Sequence, residues 1–199
     1  MIPAILPPRL HDVRLVLASA SPRRRELLQM LVPDVTIAPV RDVDETYPPG
    51  LDAMTVPEYL SRLKASAYAG DIPAGSVLVT ADTVVVLDGR ILGKPATAAA
   101  ACDMLRALSG RTHTVVTGVT LTGADGRCES FSERTEVEFA ALTDAEIEAY
   151  VDTYRPLDKA GAYGIQEWIG GMGICGIRGC FYNVMGLPLH ALYARLKKI

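Results

Sequence analysis

The feature that most constrains the fold is a β-branched, apolar run from Val13 to Ala18 that ends in Ser19-Ala20-Ser21-Pro22. The residues after it follow a helical pattern whose apolar positions are Leu27, Leu28 and Leu31. Ser21 is suited to cap this helix and Pro22 to begin it. A capping hydroxyl accepts a backbone N–H that has no other partner, and proline has no N–H to satisfy. The sequence therefore predicts a strand, a tight turn and a helix in direct succession.

The rest of the chain continues with short strands and helices. Apolar, β-rich runs predict strands over residues 35–40, 77–80, 83–87, 90–92, 113–121 and 128–139. Helical patterns predict helices from about 55 to 70, 97 to 108, 143 to 154 and 188 to the C-terminus. Capping-box spacing marks the helix starts at Thr55 and Thr143, and Asp88-Gly89 is typical of a hairpin turn. We predict an α/β fold with a mixed sheet flanked by helices.

Length and composition fit one globular domain over residues 1–199, because 49% of the residues are hydrophobic and 22% are charged. No apolar stretch approaches the roughly 20 residues that span a bilayer, so we expect no contact with a membrane. Pro3, Pro7, Pro8 and Arg9 interrupt the region where a signal peptide needs a continuous apolar core. A cytoplasmic protein is expected.

Cysteine, histidine and net charge exclude several functions. Four cysteines without C-x-x-C spacing are expected to be buried free thiols, and three histidines without a paired cluster make an imidazole metal site improbable. Any metal should then be held by carboxylates. The net charge of −3 argues against nucleic-acid binding. The segment up to Arg41 nevertheless carries six arginines against three acids, which allows a local pocket for a small polyanion.

Three arginines, Arg23, Arg24 and Arg25, occupy the first turn of the first predicted helix. Positive charge opposes the helix dipole there, at a cost of roughly 0.3 to 1 kcal/mol for each exposed residue. Together with the helix N-terminal amides and the Ser19 hydroxyl, guanidinium groups would form a phosphate clamp. The alternative is a solvated basic face, and it applies best to Arg25.

Acidic and lysine residues supply a second set of candidates. Asp82 lies between two apolar runs, where a carboxylate must be paired with a cation, bind a metal or lie at an opening of the sheet. Asp42, Asp44 and Glu45 could reach the same ion, which would suit Mg²⁺ held by one or two acids and substrate oxygens. A salt bridge for Asp82 and a solvated loop for the other acids are the alternatives. Lys64 and Lys94 would complete the charge needed for a triphosphate, or they are ordinary surface lysines.

Five ordered segments together resemble the Maf nucleotide pyrophosphatase family. They are LASASPRRRELL (17–28), ADTVVVLDGRILGKP (81–95), LSGRTHTVVTGV (108–119), DKAGAYGIQ (158–166) and VMGLPL (184–189). The resemblance covers nearly the whole chain from Leu15. It implies a Maf/ITPase-like fold, which is an elongated, twisted mixed sheet flanked by helices around a central cleft, often as a homodimer. It also implies hydrolysis of a nucleoside triphosphate to monophosphate and pyrophosphate with Mg²⁺ or Mn²⁺.

The same resemblance implies roles for individual residues. Ser19, Arg23 and Arg24 would contact phosphates, and Lys64 and Lys94 would complete the charge clamp. Glu45 and Asp82 would form the metal and base end of the site. Asp82 would orient or deprotonate the attacking water, although the division of labour between the two acids stays open at this point.

The DKAGAYGIQ version of the fourth segment resembles that of the enzymes acting on dTTP and UTP, which are pyrimidine triphosphates. The carboxamide of Gln166 can pair with N3–H and O4 of thymine or uracil, because it offers a donor and an acceptor. A loop-bracing amide is the alternative. The unusual glycine-rich segment from Glu167 to Cys180 leaves the choice between uracil and thymine open. Two other functions remain, a non-catalytic triphosphate-binding regulator of cell division and a Maf enzyme of different base preference.

Overall fold

The computed structural model describes residues 13–198. The expectation about export rests on Pro3, Pro7, Pro8 and Arg9, which lie outside the described residues. Between residues 13 and 198, no helix has both the length and the apolar character needed to cross a membrane.

Strands and helices are interspersed along the described chain. The strands are β1 (Arg14–Leu17), β2 (Thr36–Ile37), β3 (Ser76–Leu87), β4 (Arg90–Leu92), β5 (Thr112–Gly123), β6 (Cys128–Phe139) and β7 (Ile174–Arg178). The helices are α1 (Pro22–Gln29), α2 (Val56–Ser66), α3 (Ala98–Leu108), α4 (Asp144–Tyr154), α5 (Trp168–Met172), α6 (Phe181–Met185) and α7 (Leu189–Leu196), with one 3₁₀ turn at Ala160–Ala162.

The strands form one sheet in the order β2-β1-β3-β5-β6-β7, and β4 pairs with β3. β1 runs parallel to both β2 and β3, whereas β4 is antiparallel to β3 and β7 is antiparallel to β6. The predicted α/β fold with a mixed sheet and flanking helices is confirmed.

Internal contacts divide the described residues into two compact units. The first unit contains the chain up to Asp82, Thr117–Glu133, and the chain from Gly186 onward. The second unit contains Thr83–Val116 and Arg134–Met185. The assignment of residues 1–199 to one domain stays a prediction.

Most predicted elements are confirmed, and their caps show why. In α1 the Ser21 side chain accepts the Arg24 N–H, with Pro22 at the first helical position. In α4 the Thr143 hydroxyl and the Glu146 carboxylate form the predicted capping box. Asp88 and Gly89 have positive φ values of 50° and 74°, as the hairpin between β3 and β4 requires.

Three local predictions were wrong. The Thr55 hydroxyl makes no cap because it donates to the Asp52 carbonyl at 2.8 Å, and Glu58 pairs with Arg62 instead. The two predicted strands on either side of Asp82 are one continuous strand, β3. The four cysteines are free thiols but none is buried, and Cys128 and Cys175 are exposed because they lie on outward positions of β6 and β7.

In the first unit, α2 packs against β5 at Gly118. A Cβ atom at this glycine would lie 2.2 Å from the carbonyl carbon of Pro57 and from the backbone nitrogen of Glu58. Real Cβ atoms do not approach backbone this closely, so the start of α2 can rest on the strand only because residue 118 has no side chain.

In the second unit, His113 is buried in an aromatic cluster within the core. Its ring packs edge-on against Phe139 and Tyr163, with centroids 5.2 and 5.4 Å away, and its Nε2 is hydrogen bonded to the Tyr163 hydroxyl at 2.8 Å. Its Nδ1 has no hydrogen-bond partner among residues 13–198. Burial lowers the pKa of His113 from 6.5 to about 4.

This pKa predicts a pH dependence of stability. The unfolded chain takes up the proton of His113 near pH 6.5 and the folded chain only near pH 4, so the free energy of unfolding should fall as the pH is lowered through that window. The loss should reach about 3 kcal/mol and then level off. Denaturant unfolding of wild type and His113→Phe between pH 7 and 4 measures it, since the variant lacks this component.

The exposed His190 provides the control, because His190→Gln should keep the wild-type slope. Identical slopes for wild type and His113→Phe would contradict the assignment.

Candidate active site

The parallel pairing of β1 and β3 brings two of the predicted site segments together at the point where β1 ends. Leu17 lies opposite Val79, and the Ala18 N–H donates to the Val79 carbonyl at 3.0 Å. Ser19 and Asp82 follow shortly after this pair on their respective chains. β1 ends at Leu17, whereas β3 continues past Asp82 to Leu87, so the carboxyl end of β1 lies beside the middle of β3. In α/β sheets, ligands bind outside the carboxyl ends of strands.

Arg24 joins the first turn of α1 to the residues that follow β1 and to the middle of β3. Its Nη1 donates to the Ala81 carbonyl at 2.8 Å and to the Ser19 hydroxyl at 3.4 Å. Its Nε donates to the carbonyl of Gly186 at 2.9 Å. Burial lowers the pKa of this guanidinium, and the nearby Asp82 carboxylate acts in the opposite direction. Arg24 therefore fixes the positions of the backbones around the site as well as adding charge.

A lysine lies between two acids in the same unit. Lys64 Nζ lies 2.6 Å from an Asp82 carboxylate oxygen and 3.1 Å from a Glu45 oxygen. The side chains of Asp82 and Lys64 are 14% and 20% exposed, whereas that of Glu45 is 54% exposed. One cationic group therefore contacts both carboxylates, and Asp82 is the more enclosed of the two acids.

Buried hydroxyl groups hold the helix that carries Lys64. The Thr80 hydroxyl donates to the Ser61 carbonyl at 2.7 Å, and the Ser61 hydroxyl lies 2.8 Å from that of Thr120. All three residues are buried. These contacts tie α2 to β3 and β5 one turn before Lys64. Sequence reasoning missed them because each partner is far away along the chain.

The acids of the loop after β2 differ in their contacts. Asp42 and Asp44 are exposed, and Asp44 accepts the Thr46 N–H at 3.1 Å in a local turn. Glu45 is the acid of this loop that contacts Lys64. Of the three predicted acids in this loop, Glu45 is therefore the candidate for the site.

The carboxylates of Asp82 and Glu45 are the groups of this site that a divalent cation could use. Among residues 13–198, no group of three or more acidic, histidine or cysteine side chains is arranged to hold a metal. Two carboxylates close enough to contact one ammonium group are present. Such a pair fits Mg²⁺ or Mn²⁺, because Mg²⁺ is usually bound by one or two carboxylates together with substrate phosphates and water.

The remaining predicted residues are distributed between the units. Arg23 is half-buried in α1, next to Arg24 in the first unit, and Arg25 is exposed. Lys94 lies in the second unit, exposed and just after β4, next to Gly93, whose carbonyl accepts the Gly161 N–H at 3.1 Å. Gln166 also lies in the second unit and is exposed.

A partly buried polar network lies next to Gln166 along the chain and was not predicted. Lys159 Nζ is 2.7 Å from Asp158 and 3.1 Å from Glu167. The Tyr150 hydroxyl donates to the other Glu167 oxygen and accepts the Gly164 N–H at 3.1 Å. Burial, followed by the bond to Glu167, raises the pKa of Tyr150. This network fixes both ends of the short segment that carries Gln166.

The fold is shared with a protein of known structure, which indicates the class of protein. The fold matches that of a HAM1 protein from Coxiella burnetii with a TM-score of 0.50 and 20% identity, covering 94% of this chain and all of the other. The fold, the basic helix start and the carboxylate pair together define an α/β protein suited to a phosphorylated ligand.

The family follows from the sequence. The chain belongs to the family of Maf-like proteins, whose pattern matches residues 14–199. It is 50% identical over 190 residues to a dTTP/UTP pyrophosphatase from Bacteroides thetaiotaomicron, covering 96% of this chain and 98% of the relative. It is 52% identical over 190 residues to one from Porphyromonas gingivalis strain W83, covering 94% and 95% respectively.

The contacts of Arg24 predict that lysine cannot replace it. Arg24→Lys keeps the charge but cannot donate at once to the Ala81 and Gly186 carbonyls, because a lysine lacks the planar fork. We expect the free energy of unfolding to fall by about 1 to 3 kcal/mol. Arg25→Lys changes the next, exposed residue and should have no effect in the same denaturant titration. Equal stability of the two variants would contradict the anchoring role.

Proposed function

We propose that this chain is a nucleoside triphosphate pyrophosphatase that converts dTTP or UTP and water into the nucleoside monophosphate and pyrophosphate. The observation that carries the proposal is the pair of carboxylates around Lys64, beside the Ala81 carbonyl to which Arg24 of α1 donates. Relatives named dTTP/UTP pyrophosphatase match nearly the whole chain at about half of its positions, which supports the same substrate class.

We assign the general base to Asp82. Its side chain is the more enclosed of the two acids and is held at 2.6 Å from Lys64, so its position is better defined than that of Glu45. A base must be fixed within reach of the proton that it removes. Asp82 takes a proton from water as the water oxygen bonds to the α-phosphorus. The bond from that phosphorus to the bridging oxygen breaks, and pyrophosphate leaves.

Glu45 and Asp82 are the residues that would hold a divalent cation. When bound, Mg²⁺ or Mn²⁺ would supply charge neutralisation to the phosphate oxygens. The exposure of Glu45 suits a ligand that shares the ion with substrate oxygens and water.

Ser19 and the cationic residues are assigned to the polyphosphate. Ser19, Arg23, Arg24 and Lys64 belong to the first unit, and Lys94 belongs to the second. The charge that develops on the leaving pyrophosphate is stabilised by such groups when they are fixed before the reaction. Arg24 and Lys64 are fixed by the contacts described above.

Gln166 is assigned to the base. Its carboxamide offers a donor and an acceptor that match N3–H and O4 of thymine and uracil. The contacts of Glu167 with Lys159 and Tyr150 support this role, because they hold the backbone on which Gln166 is presented.

The assignment of Asp82 predicts a large loss of turnover. With Mg²⁺ or Mn²⁺ and dTTP, wild type should release pyrophosphate, and Asp82→Asn should lower kcat by at least about 100-fold because a carboxamide cannot accept the proton. Asp103→Asn, at an exposed residue of α3 in the second unit, provides the matched control and should retain activity.

Three results would argue otherwise. Release of orthophosphate in place of pyrophosphate would contradict the reaction. Full activity of Asp82→Asn would contradict the base. Tight triphosphate binding without turnover, measured by calorimetry, would favour the non-catalytic regulator.

The assignment of Gln166 predicts a change of base preference. Gln166→Glu replaces the amide donor with a charged acceptor, so kcat/KM for dTTP and UTP should fall by about ten- to a hundredfold through unpaired polar groups. A panel of UTP, dTTP, 5-methyl-UTP, CTP and 7-methyl-GTP measures it, with Gln29→Glu at the exposed end of α1 as control. If kcat/KM fell equally for every nucleotide of the panel, Gln166 would not recognise the base. If wild type preferred 7-methyl-GTP, the proposed pyrimidine substrate class would be wrong.

A further inference from the structure

We propose that Tyr68 and Arg41 are positioning residues that set the place of Glu45 opposite Lys64. The inference rests on the proposed function, in which Glu45 is a ligand of the divalent cation. It concerns the loop between β2 and α2 and the C-terminal end of α2, all within the first unit.

The hydroxyl group of Tyr68 fastens the beginning of this loop. It donates to the Pro39 carbonyl at 2.8 Å and accepts the backbone N–H of Arg41 at 3.2 Å. Tyr68 itself is 7% exposed and packs in a small core with Val16, Ala18 and Leu78. One buried side chain therefore holds two backbone groups of the loop against a rigid part of the fold.

Arg41 adds contacts from the loop side. Its guanidinium donates to the Ala67 carbonyl and, at 2.6 Å, to the Asp71 carboxylate. It also lies 4.6 Å from the centroid of the Tyr68 ring. An exposed ion pair alone contributes little, but the carbonyl and the ring fix the same guanidinium in one orientation.

The contacts of Tyr68 and Arg41 act on Glu45 because they fasten its loop to residues at the end of α2. Ala67 is the C-terminal cap of α2, the helix that also carries Lys64, so the loop and the lysine are fastened to one rigid element. Glu45 follows Arg41 by four residues in a stretch without helix or strand, and its side chain is more than half exposed. Its side chain is paired with Lys64, which Asp82 also engages, so the position of Glu45 depends in addition on where the loop is fastened.

Releasing the loop would give Glu45 more positions and fewer of them opposite Lys64. A carboxylate that is ordered only part of the time binds a cation more weakly, because binding must then supply the ordering. The effect appears as weaker metal binding. At saturating metal, turnover returns toward the wild-type value, because Tyr68 and Arg41 do not touch the reacting groups.

The experiment compares Tyr68→Phe with Tyr59→Phe. Tyr68→Phe removes only the hydroxyl of a buried ring that follows α2, and Tyr59→Phe removes the hydroxyl of the exposed Tyr59 on α2 itself. Electron paramagnetic resonance titrates Mn²⁺ binding in the presence of a non-hydrolysable dTTP analogue, so the readout does not require turnover. We expect the Kd for Mn²⁺ to rise about fivefold or more in Tyr68→Phe and to stay unchanged in Tyr59→Phe.

A second variant and a double mutant keep the test decisive. Arg41→Met should weaken Mn²⁺ binding in the same way. Arg62→Met removes a different ion pair, the one with Glu58 within α2, and should leave Mn²⁺ binding unchanged. In a Glu45→Gln background, Tyr68→Phe should cause no further change in the Kd, because its effect passes through Glu45.

The outcomes separate this inference from the proposed function. If wild type releases pyrophosphate but Tyr68→Phe and Arg41→Met bind Mn²⁺ as wild type does, the positioning role is overturned and the function stands. Equal weakening with and without Glu45 also overturns it. If wild type releases no pyrophosphate, the proposed function fails, and the Mn²⁺ titrations still decide whether these two residues act through Glu45.

Discussion

The ammonium group of Lys64, held between the carboxylates of Asp82 and Glu45, is the interaction on which the site of the first unit depends. Two carboxylates at close range repel one another, and a shared cation offsets that repulsion. The lysine must therefore be held in a fixed position relative to β3, which carries Asp82. The buried hydroxyl groups of Ser61, Thr80 and Thr120 and the close packing of α2 supply that constraint.

The two acids differ in what surrounds them, and this difference organises the proposed chemistry. Asp82 belongs to a central strand whose backbone cannot move far, whereas Glu45 belongs to an exposed loop. A rigid acid suits a proton transfer, which tolerates little error in distance, and a loop acid suits an ion whose other ligands arrive with the substrate. The contacts of Tyr68 and Arg41 reduce the freedom of the loop without burying it.

Sequence patterns predicted the parts of the fold that depend on neighbours in the chain. The caps at Ser21 and Thr143 were predicted correctly because their partners lie three residues away. Thr55 has the same spacing to its acid, but the nearby carbonyl of Asp52 takes its hydroxyl. Asp82 interrupts the apolar pattern without interrupting the strand, because Lys64 pairs with its charge.

Candidate site residues were proposed from their chemistry and from the family resemblance, but the contacts that hold them were not predicted. The bonds from Arg24 to Gly186, from Tyr68 to Pro39 and from Tyr150 to Glu167 join residues that no periodicity relates. Only the folded chain brings such partners together. Patterns of residue type therefore indicate which groups could act, and the folded chain determines which of them are held still.

The absence of a side chain at Gly118 has a further consequence for how freely this chain can vary. At the start of α2 the spacing to β5 is set by backbone meeting backbone, so at that point it does not depend on the size of a side chain. Substitutions over the outward surface of the helix can accumulate while the lysine keeps the same reach. Residue 118 itself must stay glycine, because a side chain there would collide with the backbone at the start of α2.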